Sequence, residues 1–302
     1  MSTTRLAVSL PQTFPEGTID PSAIARFARR AEELEFDSLW VQESIIGRQR
    51  QLDSIELLTF AAACTTRIRL GAAVLLLPLR SPVPLAKTLV SLDQLSGGRL
   101  TLAMGLGRAG PTDAAFGIEP GSRLARFNET LRILKALWTQ DSVTLDGKYW
   151  QLKDVAMEPK PVQKPHPPVW FGVHHPNALR RTARHADGFI GAGGTSTEQF
   201  AGEVQELRQL LREEGRDPST FPFSKRVYIA VDNDRDRAGR RLAARLGGYG
   251  GHERIAVWGS ADECARRLRE VIDAGAELVL LTPLFDEWEQ LEVFASEIRP
   301  AL

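Results

Sequence analysis

Residues 68–104 read IRLGAAVLLLPLRSPVPLAKTLVSLDQLSGGRLTLAM, and their pattern decides the fold class. Ile68–Leu77 is an apolar run interrupted only by Arg69 and Gly71, which suits a strand buried on both faces. Ser81–Pro82 then opens a helix, because proline tolerates the first turn, where its missing N–H costs nothing. That helix ends before Gly97–Gly98, and Leu100–Met104 forms a second apolar run. Strand, helix and strand joined by short loops are a parallel βαβ unit.

The same alternation extends in both directions. Upstream, Arg5–Leu10 reads as a strand, and Asp20–Pro21 starts a helix with Ile24, Phe27, Ala28, Ala31 and Leu34 on one face. Ser38–Gln42 is the second strand, and Asp53 with Glu56 caps the helix that carries Leu57, Leu58, Phe60 and Ala61. Downstream, Arg123–Trp138 is a helix, followed by an insertion over about 139–168 that breaks the rhythm. Its segment PKPVQKPHPP, with five prolines, reads as an extended connection. Val169–Gly172, Gly188–Gly191, Lys225–Asp232 and Glu277–Thr282 complete a set of eight strands. Capping boxes at Ser196/Gln199 and Ser260/Glu263 open two of the later helices. Eight strand–helix units predict a (β/α)8 TIM barrel spanning residues 1–302 as one domain; a doubly wound open sheet is the alternative.

Composition narrows the function. With 302 residues, 43% hydrophobic and 25% charged, the chain can build a large core. Lys+Arg 38 balances Asp+Glu 38, which argues against a nucleic-acid partner, since that needs a basic face. No apolar run is long enough to span a bilayer, and no signal-peptide pattern is evident at the N-terminus. The cysteines, Cys64 and Cys264, form neither a CxxC nor a cluster with histidine. A reduced, cytoplasmic protein without a metal site is the expectation.

One motif invites a nucleotide reading. Gly105-Leu106-Gly107-Arg108-Ala109-Gly110 fits the pattern of a dinucleotide fingerprint directly after the fourth strand. Its context fails, because Pro111 follows at once, no helix opens on the last glycine, and the motif does not sit in the first βαβ unit. In a barrel this loop lies instead at the C-terminal rim, where backbone amides can approach a planar cofactor, or it is simply a tight glycine turn.

Several segments carry a family resemblance. Phe36–Val41 (FDSLWV), Thr66–Gly71 (TRIRLG), Leu76–Pro82 (LLPLRSP), Leu92–Leu100 (LDQLSGGRL), Pro161–Pro168 (PVQKPHPP) and Ala186–Phe189 (ADGF) resemble the bacterial luciferase-like family in order and spacing. The family's fold is a (β/α)8 barrel with an insertion, and its members bind FMN or the deazaflavin coenzyme F420 at the C-terminal end. LDQLSGGRL and KPHPPVWFG look more like the F420-dependent branch.

The resemblance also marks site residues. It implies a non-proline cis peptide at Ala73-Val74, backing the central ring of the cofactor, against the plain reading of a buried strand pair. Gly105, Leu106, Gly107 and Arg108 would lie against the ring system, with Arg108 either pairing with the cofactor phosphate or solvated. Gly172, Val173 and His174, with His175 after them, stand where the family usually has small residues holding phosphate by backbone amides. Val173 and His174 are bulkier than that pattern, and the adjacent histidines read as loop-capping rather than metal-binding. Gly193 and Gly194 would add phosphate contacts or serve as loop glycines. Glu43 and Ser44 follow the second strand. Many F420-dependent relatives have an acid and then a histidine here, so Ser44 departs from the pattern. Glu43 reads either as an acid/base with a burial-raised pKa or as a structural carboxylate paired with Arg48 or Arg50. Gln12 could touch substrate or ring. Trp40 and Cys64 read as packing, and Gly247–His252 as a connector or lid.

The expected activity is an F420-dependent oxidoreductase transferring a hydride to or from a small organic substrate, acting as a homodimer. An FMN-dependent monooxygenase served by a flavin reductase is the alternative. A non-catalytic cofactor-binding barrel is the reading from another class. A glycoside hydrolase would need a second rim carboxylate, for which Asp113 is the remaining candidate.

Overall fold

In the computed structural model, residues 4–14, 17–247 and 251–302 are described. The run that opens residues 68–104 forms β3 (Arg69–Leu76). The helix after it is Pro82–Ser96, and Leu100–Gly105 is the next strand. Numbered in chain order, the elements before it are β1 (Arg5–Ser9), α1 (Pro21–Glu33), β2 (Ser38–Val41) and α2 (Ser54–Cys64). Pro82–Ser96 is then α3, Leu100–Gly105 is β4, and Arg123–Thr139 is α4. There follow β5 (Val143–Asp146), β6 (Gln151–Val155), β7 (Val169–Phe171), α5 (Pro176–His185), β8 (Gly188–Gly191), α6 (Thr197–Glu213) and β9 (Phe223–Val231). The chain ends with α7 (Arg235–Leu246), α8 (His252–Ile255), β10 (Ala256–Gly259), α9 (Ala261–Asp273), β11 (Leu278–Pro283) and α10 (Glu287–Val293).

The main sheet runs β10-β9-β11-β1-β2-β3-β4-β7-β8, and β9 also pairs with β8. That last pairing closes eight strands into a ring, so the fold is a (β/α)8 TIM barrel and not an open doubly wound sheet. β10 adds to β9 outside the ring, in parallel register Ala256↔Tyr228 to Gly259↔Val231. This short strand and α7 are absent from the sequence expectation. Of the segment Gly247–His252 read as a connector or lid, residues 248–250 lie outside the described residues. Gly247 ends α7, and His252 opens α8.

Two compact units divide the chain: Met1–Pro11, Pro21–Trp40 and Trp170–Leu302 form one, and Gln12–Asp20 with Val41–Val169 the other. In the first unit α1 buries Ile24, Phe27, Ala28 and Ala31, the face expected from their spacing. Both predicted capping boxes are present, Ser196 with Gln199 and Ser260 with Glu263. The indoles of Trp40 and Trp170 meet at 5.7 Å, a contact between strands that are not neighbours in the sheet and hence one that crosses the barrel interior.

In the second unit the insertion over 139–168 holds an element that the sequence reading did not give, ahead of the proline segment. β5 and β6 pair as an antiparallel hairpin, Leu145↔Leu152 and Asp146↔Gln151. The carboxylate of Glu129 on α4 accepts from the backbone N–H groups of Lys148, Tyr149 and Trp150 in its turn. The proline segment is fastened to α3: Asp93, fully buried, accepts from the amides of Val162 and Gln163 and from the Gln163 side chain. Cys64, expected to be buried, is half-exposed at the C-terminal end of α2.

Candidate active site

The C-terminal ends of β2, β3 and β4 bring part of the expected site together within the second unit. Glu43 follows β2, and 1% of its side chain is exposed. Its Oε1 accepts from Arg80 Nε at 2.6 Å, and its Oε2 accepts from the backbone N–H of Leu76, at the end of β3. Arg80 also donates to Asp53 Oδ2 at 2.7 Å, and Asp53 in turn caps α2. The guanidinium thus ties the starts of two helices to the end of β2. The partner is Arg80, not the expected Arg48 or Arg50. Burial pushes the Glu43 carboxyl above its ordinary value, against the opposing pull of Arg80 and the Leu76 amide.

Gln12, considered for a substrate contact, is instead a brace. It is buried, and its amide group donates to the carbonyls of Gln42 and Leu52 and accepts from the Gln42 N–H. The turn that presents Glu43 is thereby fixed at both ends. Ser44, next in the chain, is exposed.

The Ala73-Val74 peptide bond is cis, at the point where the register between β3 and β4 shifts from Ala73↔Ala103 to Leu75↔Met104. Leu76 pairs with Gly105 on β4. Gly107 has φ +64°, and a Cβ there would stand 3.0 Å from the Leu76 side chain. Arg123 of α4 grips the loop by donating to the Leu106 carbonyl while it pairs with Asp113 (Nε to Oδ2, 2.9 Å). Its hydrogen bonds, and then its charge, hold the Asp113 carboxyl below the usual range. Asp113 is therefore committed, which removes the second carboxylate a glycoside hydrolase needs. Arg108 does not join this cluster and is exposed. Beside Arg80 a cavity of about 300 Å³ is lined mainly by Ile45, Ile55, Leu79, Leu85 and Phe116.

The first unit carries the other expected residues. Gly172 and Val173 are half-buried just past β7, and His174 is exposed. His175 caps α5, its Nδ1 accepting from the Asn177 amide at 3.2 Å, which is the loop-capping role. Gly193 is buried, and a Cβ on it would come within 3.0 Å of the Tyr228 ring; Gly194 is exposed. Beneath this turn Lys225 of β9, 2% exposed, donates to the carbonyls of Ala192 and Thr195 and to Thr195 Oγ1. Burial lowers the Lys225 ammonium to about 7 and raises the nearby Glu203 carboxyl to about 7. Cys264 is buried, and burial pushes its thiol up to about 12, so it is inert at neutral pH. Among the described residues no group of three His, Cys, Asp or Glu could hold a metal ion, and no helix is long and apolar enough to cross a membrane.

Sequence reading missed Arg80, Lys225 and Arg226. Arg80 had a signal in its position in the short loop between a rim strand and the helix that follows it. The two cations of β9 had one as charges inside an otherwise apolar strand.

The chain belongs to the luciferase-like monooxygenase family, whose model matches residues 4–250. It is an enzyme of the oxidoreductase class. It is 30% identical over 224 residues to an F420-dependent glucose-6-phosphate dehydrogenase of Kineococcus radiotolerans, covering 71% of this chain and 65% of that one. It is 31% identical over 165 residues to an FMNH(2)-dependent dimethylsulfone monooxygenase of Pseudomonas putida, covering 54% of this chain and 45% of the other. Among solved structures, an F420-dependent secondary alcohol dehydrogenase in complex with an F420-acetone adduct superposes with a TM-score of 0.87 at 20% identity, over 99% of both chains, which supports the fold.

Proposed function

We propose that this enzyme is an F420-dependent oxidoreductase that moves a hydride to or from a small organic substrate. The observation that carries the reading is the glycine cradle at the rim. At Gly107, just past β4, the backbone sits at φ +64° and a Cβ would crowd the Leu76 side chain, so bare glycine backbone shapes the loop on which a flat ring would rest. The longer match to an F420-dependent relative favours the deazaflavin over FMN. Ala73, Val74, Gly105, Leu106 and Gly107 would hold the ring, and Gly172, Val173, His174, Gly193 and Gly194 the phosphate-bearing tail, with Arg108 a further phosphate donor. Bound there, the deazaflavin would supply a two-electron hydride carrier with little reactivity toward oxygen.

In this scheme Glu43 braces the site, because both its oxygens are engaged by Arg80 and Leu76. Ser44 is the member of the pair free to meet a substrate. The apolar cavity beside Arg80 suits a small organic group. The same reading places the enzyme in the cytoplasm as a homodimer. The match to an FMNH(2)-dependent monooxygenase supports a second reading, in which a separate flavin reductase is a partner. A paired fluorescence titration with F420 and FMN decides between them. F420 binding at least about tenfold tighter than FMN, equivalent to ~1.4 kcal/mol, supports hydride transfer. The reverse preference, with reductase-dependent oxygen uptake, overturns it.

A further inference from the structure

β9 places two cations side by side, and the pleat sends them to opposite faces. Lys225 points outward to α6, with Nζ 5.7 Å from the centre of the Phe200 ring. Arg226 therefore points inward. The registers agree: Arg226 pairs with Leu280, Tyr228 with Thr282, and Ser9 with Trp40, whose indole crosses the interior to Trp170.

Inside the barrel Arg226 is half-buried. Its Nε donates to Thr282 Oγ1 at 3.2 Å, that hydroxyl meets Ser9 Oγ at 2.9 Å, and the guanidinium lies 4.7 Å from the centre of the Tyr228 ring. Among the described residues it has no carboxylate partner. The contacts of its inward group are the Thr282 and Ser9 hydroxyls and the Tyr228 ring, and the adjacent cation is spent on Ala192 and Thr195. A half-buried cation without a counter-ion is costly unless something supplies one. Its remaining N–H groups form a planar fork of the kind that matches an oxyanion in a bidentate way.

We propose that Arg226 anchors a carboxylate group of the substrate. This rests on the oxidoreductase reading and narrows its substrate class to small organic acids. One cation flanked by neutral donors suits a singly charged carboxylate, whereas a phosphate dianion calls for more positive charge. Tyr228 offers a flat apolar surface beside the fork, and the Gly193 turn lies against that ring, so the acid would sit next to the tail-binding loop.

The test uses the cofactor-free full-length protein and two probe pairs, acetate against acetamide and benzoate against benzamide, read by thermal shift. The acids are expected to stabilise the wild type and the amides to do so far less. In R226Q the benzoate affinity should fall by about tenfold or more, and R226K should recover part of it. Equal shifts from acid and amide on the wild type, or undiminished benzoate binding by folded R226Q, overturn the proposal. Should R226Q not fold, the wild-type comparison and R226K still decide. Displacement of benzoate by F420 would assign the site to the acidic tail of the coenzyme and overturn a substrate role. Binding neither F420 nor FMN while discriminating benzoate defeats the oxidoreductase reading but not the anion site. Binding F420 while ignoring benzoate does the opposite.

Discussion

Glu129 Oε1 accepts a hydrogen bond from the backbone N–H of Trp150 at 2.7 Å, and the same carboxylate receives the amides of Lys148 and Tyr149 at 3.0 Å. A helix side chain thus satisfies the turn of a hairpin that has no other sheet to join. Gly147 is obligatory in this arrangement, since a Cβ there would overlap the carboxylate.

Glu129→Ala should therefore cost about 2–3 kcal/mol, the range for losing charge-assisted bonds and leaving half-buried amides unpaired. Glu129→Gln keeps one acceptor oxygen and should lose less. Denaturant unfolding measures both, and amide exchange at residues 148–150 should quicken in the alanine variant while the barrel strands stay protected.

Gly107 and Gly117 form a matched pair for a second test. Both sit at positive φ, +64° and +62°, but a Cβ meets Leu76 at the first and open space at the second. Gly117→Ala should lose about 1–2 kcal/mol from the left-handed backbone alone. Gly107→Ala should lose more and also weaken F420 binding. Equal stability loss, with unchanged titration, would remove Gly107 from the cofactor cradle.

Glu43→Gln separates brace from proton carrier. The amide oxygen can still accept from Leu76, and Arg80 retains Asp53, so a loss of about 1–2 kcal/mol is expected, below that for stripping a buried charge of its only partner. If Glu43 is a brace, the pH profile of kcat keeps its shape. Disappearance of one limb would make it the acid or base.

Glu203 and Lys225 give the fold a pH signature. Folded Glu203 keeps its proton up to about pH 7, whereas the unfolded chain releases it near 4.5, so stability falls as pH rises through that window. Folded Lys225 gives up its proton near 7, well before the unfolded chain does near 10.5, so stability recovers above neutrality. Each limb has a slope of at most about 1.4 kcal/mol per pH unit. Melting curves across pH should show the dip; Glu203→Gln should flatten its acid side, and Lys225→Met its alkaline side.

The barrel was legible because most of its strands are short, largely apolar runs and its helices carry strong caps, as Ser196 and Ser260 show. The β5–β6 hairpin was not, although Asp146-Gly147 between alternating Val143, Leu145 and Leu152 is a turn signal. Five nearby prolines masked it. β10 escaped notice because it has only four residues, comes soon after a glycine-rich stretch, and is buried by β9, α7 and α9. Glu43 was visible as a rim acid, but its partner Arg80 lies 37 positions away, and pairing at that separation is decided by the closure of the barrel, not by local spacing. The same holds for Gln12, whose amide is consumed by loops at 42 and 52.

Lys225 and Arg226 share a strand but not a side of it. The outward ammonium ties the turn after β8, while among the described residues the inward guanidinium has its one hydrogen bond to Thr282. Selection can therefore rewrite the inner position, trading one substrate for another, without disturbing the keystone beside it. A single-residue insertion earlier in β9 would exchange the two and forfeit both. Divergence along this strand should accordingly proceed by substitution at alternate positions, with its length held constant.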